Sequence, residues 1–66
     1  MKIRITKSIL VEVEKPHLQE VWDKQLNRWD ELNVESIQHS GKTANFVTYD
    51  GDVFLSVPVE SFEVVS

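Results

Sequence analysis

Every second side chain near the start of the chain is apolar, and after Pro16 that spacing changes. Ile3, Ile5, Ile9, Val11 and Val13 share one parity, with Lys7 the only break. Lys2, Arg4, Thr6, Ser8, Glu12 and Glu14 share the other. A period of two puts one set on a buried face and the other in water, so residues 2–14 read as a half-buried strand. Thirteen residues is long for one strand, and a bend or bulge at Thr6–Ser8 accounts for both the length and the misplaced Lys7. Lys15-Pro16 then ends it, because proline has no N–H for a ladder but suits the first turn of a helix. Beyond that point Leu18, Val21, Trp22, Leu26, Trp29 and Leu32 fall within an arc of about 140° at 100° per residue. Glu20, Asp23, Lys24, Asn27 and Glu31 lie opposite. The spacing predicts an amphipathic helix from residue 16 to about residue 30, with Trp22 and Trp29 mainly in the core beneath it, the alternative being a partly exposed ring that helps bind a partner.

The rest returns to β-structure. Val34–Ser40 reads as a strand with a kink, since Val34 and Ile37 differ in parity. Gly41-Lys42 reads as a tight turn, and Thr43–Tyr49 as the next strand. Asp50-Gly51 is a strong hairpin signal between two β-rich runs. Asp52–Val57 follows, with Val53, Leu55 and Val57 on one side and Phe54 on the other. Val59-Glu60-Ser61 fits one 3₁₀ turn after Pro58, and Phe62–Val65 a short last strand.

The stretch DGDVFLSVPVESFEVV (50–65) resembles the end of an SH3-like small barrel. Such barrels have a hairpin, a strand ending at proline, one 3₁₀ turn and a short final strand. Val57-Pro58, Phe62 and Glu63-Val64 match in type and order, and the likeness covers residues 34–65. The resemblance implies a curled antiparallel sheet. The chain departs from it where the helix replaces an irregular loop, and no aromatic groove for proline-rich peptides is recognisable. The expectation is one α+β domain over residues 1–66. A single amphipathic helix packs on a curled antiparallel sheet, in the order β-α-β-β-β(-β), with SH3-like barrel character.

Sixty-six residues bury only a modest core, with little room left for a catalytic cleft. Ser-Ile-Gln-His-Ser-Gly-Lys-Thr (36–43) ends like a phosphate-binding loop, but Ser36 replaces the first glycine and a strand follows instead of a helix. His17 and His39 have no cysteine to join them as zinc ligands. Asp50-Gly51-Asp52 lacks the further carboxylates of a calcium loop. No serine sits in a nucleophile-elbow context. The residues therefore point away from an enzyme and call for no cofactor. No run approaches the roughly 20 apolar residues of a membrane span, and Glu12 and Glu14 interrupt any leader-like stretch. With no cysteine, the chain suits a reducing, cytoplasmic setting.

What remains is binding. Net charge is −4, unevenly placed. Residues 1–15 hold four basic and two acidic side chains, while residues 30–66 hold seven acids against Lys42 alone. An acidic chain attracts basic partners and repels nucleic acid. Trp22, Trp29, Phe46 and other aromatics offer stacking surfaces, but only Lys2, Arg4 and Lys7 cluster to meet phosphate. The candidate contact acids are Asp30, Glu31, Glu35, Asp50, Asp52, Glu60 and Glu63, with Tyr49 and Phe54 beside them. They suggest a module that binds and modulates another protein with a basic surface, carboxylates standing in for phosphates. In size and acidity the chain is similar to the small host-takeover inhibitors of bacteriophages. An SH3-like accessory domain docking by an apolar groove or sheet edge is the alternative. Apolar residues of both parities after residue 43 favour either a sheet that curls onto itself or a second copy covering it as a homodimer.

Overall fold

The computed structural model describes all 66 residues. It holds seven strands, all paired antiparallel, and two single 3₁₀ turns. The strands are β1 (Lys2–Ile5), β2 (Ile9–Lys15), β3 (Glu20–Leu26), β4 (Glu31–Ser40), β5 (Thr43–Thr48), β6 (Val53–Pro58) and β7 (Phe62–Val64). Their lateral order is β3-β2-β6-β5-β4-β1-β7. The expected break after Ile5 is present, and Val59–Ser61 forms the expected 3₁₀ turn. Gly41 and Gly51 take φ of 65° and 89° in the β4–β5 and β5–β6 turns, a region glycine enters without steric cost.

The α+β expectation is corrected. No helix lies between Pro16 and Asp30. Pro16–Leu18 makes one 3₁₀ turn, Gln19 swings to φ 54°, and residues 20–26 run back along β2 as a strand. Seven consecutive cross-strand pairs, from Ile9↔Leu26 to Lys15↔Glu20, hold that hairpin. The physical reason is competition between local period and pairing. An isolated helix of this length is marginal, so packing decides its fate. Val21 and Trp22 favour strands, and β2 offers a complete ladder within reach of a four-residue connection. Of the six residues on the supposed apolar strip only Leu26 is buried. Trp22 and Trp29 are 50% and 57% exposed, which corrects their assignment to the core.

β4 is the pivot that curls the sheet. Its residues 31–33 pair with β1, and residues 34–40 pair with β5. Register with β5 slips between Val34 and Ser36, leaving Glu35 as the extra residue of a bulge at the expected kink. A second slip lies between Ala44 and Phe46 on β5, opposite Ser56 at φ 54°. The Asn45 side-chain carbonyl accepts the Ser56 N–H at 2.9 Å and holds that bulge. It also swaps faces along β6: Phe54 and Val57 are both buried, where simple alternation separates them.

Curling lets one face of the sheet close on itself. Ile3, Ile5, Val11, Val13, Leu26, Val34, Ala44, Phe46, Phe54 and Val57 make one core, with no helix needed to cover it. Phe46 meets Phe62 edge-to-face at 4.7 Å between ring centroids. Register places Trp22, Val13, Phe54, Phe46 and Ile37 in one row across five strands. Trp22 thus lies on the core face, but on the outermost strand, where it stays 50% exposed.

Candidate protein-interaction face

The acids proposed from sequence divide sharply once placed. Arg4 reaches Glu31 at 3.1 Å and Glu63 at 3.3 Å, and Lys2 joins Glu31 at 3.7 Å. These groups meet because β1 lies between β4 and β7, with Arg4 opposite both Glu31 and Glu63. Lys7 stands 3.9 Å from Glu60. Asp52 holds Lys15 at 2.7 Å in a half-buried pair. Asp30 accepts the Asn27 N–H at 2.8 Å and so fastens the loop between β3 and β4. Glu35 and Asp50 are exposed and in no ion pair, and Tyr49 is 66% exposed at the β5–β6 turn. Phe54 is 5% exposed and belongs to the core. The nine residues do not converge on one site.

A different group does converge. β2 presents Leu10, Glu12 and Glu14 away from the core, at the spacing of a single strand face. Pairing brings Asp23 and Leu55 beside Glu12, and Val21 and Val53 beside Glu14. Leu10 and Val21 are 63% and 56% exposed, while Val53 and Leu55 are half-buried. None of Glu12, Glu14 and Asp23 is in an ion pair. Glu12 and Asp23 are direct cross-strand partners, an arrangement that like charges make unfavourable. Lys15 and Lys24 lie on the other side of the hairpin by strand parity. The outer face is therefore carboxylate and aliphatic together, with no internal cation. A depression of about 340 Å³ runs between Leu10, Glu12, Asp23 and Leu55.

The opposite side of the same hairpin has other chemistry. The Trp22 indole N–H donates to Glu20 at 3.0 Å, and the Lys15 ammonium sits 5.0 Å from the Trp22 ring centroid. Lys15 thus bridges an aromatic face and the Asp52 carboxylate. The second Asp52 oxygen, Oδ1, is buried with no hydrogen-bond partner. Trp29 adopts φ 76°, fixed by its N–H bond to the Ile5 carbonyl at 2.7 Å, and carries the Arg28 guanidinium 4.6 Å over its ring.

Alternation along β2 already placed Glu12 and Glu14 outward, but a helix through residue 23 put Asp23 far from both. The missed signal is two seven-residue segments, 9–15 and 20–26, flanking a short proline-containing connection. Ser36–Thr43 contains the β4–β5 turn at Gly41-Lys42, as its strand-like flanks predict. No group of three or more His, Asp or Glu side chains is placed to hold a metal ion. No helix is long and apolar enough to cross a membrane. Comparison of the chain with protein-family models, with characterised proteins and with solved structures finds no match.

Proposed function

We propose that this chain is a non-enzymatic protein-interaction module whose outer β2–β3 face receives a basic, partly apolar segment of another protein. One observation carries the reading: Glu12 stands directly opposite Asp23, and neither carboxylate is in an ion pair. Opposed like charges lower stability, and an incoming lysine or arginine relieves them. Leu10, Val21 and Leu55 supply apolar contact around the charges. A nucleic-acid-binding protein is the natural partner class, its phosphate-binding groups meeting carboxylates, and such binding would modulate or inhibit it. The setting is a reducing one, the cytoplasm.

Direct nucleic-acid binding is the weaker reading, because Lys2, Arg4 and Lys7 each stand beside a carboxylate. The test uses a short peptide alternating lysine and leucine, titrated by calorimetry. Affinity falls steeply as salt rises from about 0.05 to 0.3 M. Reversing both charges with Glu12→Lys and Asp23→Lys weakens binding by about tenfold or more, while Asp50→Lys changes little. Equal affinity for the parent chain and the double variant would discard this face.

A further inference from the structure

The two edges of the sheet are finished differently. β7 is three residues long, and beyond it the chain stays on β1 through a bulge, with Val65 and Ser66 both donating to the Lys2 carbonyl and the Lys2 N–H donating to the Ser66 carbonyl. A short, blunted edge of this kind resists pairing with another chain. β3 is seven residues long, with no proline and no bulge in its ladder to β2. Apart from the β2 ladder, no backbone hydrogen bond of the molecule involves residues 20–26. Val21 and Trp22 are both at least half exposed on it. An edge this long, open and partly apolar is a template for a further strand.

The sequence of β3 selects what that strand is. Two copies related by a two-fold axis normal to the sheet pair antiparallel, and facing residues then lie on the same side of the sheet. The axis must pass through a residue facing its own copy. Centred on Asp23, the register sets two carboxylates together; centred on Lys24, it sets two ammonium groups together. Centred on Trp22, it places Glu20 opposite the partner's Lys24, and Lys24 opposite the partner's Glu20. Trp22 then faces its own counterpart between the two ion pairs. Glu20, Trp22 and Lys24 all lie on the core side of the hairpin, so the paired rings continue the row that runs through Val13, Phe54 and Phe46.

We infer that a second copy of this chain pairs with the free edge of β3, in the register centred on Trp22, to give a two-fold dimer with one continuous sheet. Lys24, which on an isolated edge would discourage pairing, becomes half of an ion pair in this register. Both outer faces, with Glu12 and Asp23, fall on the same side of the joined sheet. The inference does not rest on the function proposed for that face, and it is tested without any partner.

Sedimentation velocity of the full chain over a range of concentrations gives the association constant. The parent chain dimerises. Lys24→Glu sets like charges opposite each other at two places and weakens the dimer by about tenfold or more. Combining Glu20→Lys with Lys24→Glu restores association to within a few-fold of the parent, because the pairs re-form with exchanged signs. Far-UV circular dichroism confirms that each variant is folded. A parent that stays monomeric, a Lys24→Glu variant that dimerises as tightly as the parent, or a folded double variant that stays as weak as the single would each overturn the inference.

Discussion

The two ends of the sheet treat the same residue types in opposite ways. At the β7-β1-β4 end, Arg4 lies between Glu31 and Glu63, and the charges answer one another within the molecule. At the β6-β2-β3 end, Glu12, Glu14 and Asp23 share a face with no cation, among side chains that are still partly apolar. Burial follows the same division. β1 gives Ile3 and Ile5 to the core at 0% exposure, whereas β3 gives only Leu26. One end is closed by its own contacts; the other is a projecting hairpin whose surface is unsatisfied. An acidic net charge by itself does not locate a binding surface, because acids already paired inside the molecule contribute little to it.

That contrast is most exposed to attack at Leu26, which is 1% exposed and is the sole anchor of β3 in the core. Leu26→Ala lowers stability by about 2–5 kcal/mol. For a domain this small that is a large part of the total. Hydrogen exchange shows the loss: those amides of residues 20–26 that donate to β2 lose protection first, ahead of those in β1 and β5. Uniform loss along the chain would mean that the hairpin is no less secured than the rest.

Lys15→Met is the next largest effect. It leaves the half-buried Asp52 carboxylate without its cation, at a cost of about 1–3 kcal/mol by chemical denaturation. Adding Asp52→Asn to that variant recovers part of the loss, since the unpaired charge is then gone. The smallest effects are the most telling because they differ in sign. Glu63→Gln removes one partner of Arg4 and lowers stability by a few tenths of a kcal/mol. Glu12→Gln relieves the opposition to Asp23 and raises stability by about 0.2–1 kcal/mol. Measured side by side in low salt, the same chemical change moves the denaturation midpoint in opposite directions at the two ends.

How far the sequence reveals this arrangement depends on which interactions decide each segment. Residues 3–13 are legible because their alternation reflects burial on one face, and the Thr6–Ser8 break lies where Lys7 interrupts it. The turns at Gly41 and Gly51 are legible because positive φ selects glycine. Asp52–Val57 is only half legible, since the Ser56 bulge exchanges faces midway and alternation carries no trace of it. Residues 18–32 mislead for a stronger reason. On an edge strand with one side open to solvent, burial no longer imposes a period of two, and the apolar residues happen to fit a helical arc. The pairing that decides the matter lies in β2, outside the segment. The candidate site inherits the error: Glu12 and Glu14 face outward from sequence alone, but only the hairpin register sets Asp23 opposite Glu12.

All of this depends on residues 20–26 lying antiparallel to residues 9–15, and nuclear Overhauser effects on the full chain in solution test it directly. Cross-strand contacts between the backbones of Val13 and Trp22, and of Val11 and Lys24, are the expected result, with strong sequential Hα–HN contacts through residues 20–26. Hα–HN contacts between residues i and i+3 from Leu18 to Leu26, with no cross-strand set, would restore a helix there and contradict the account.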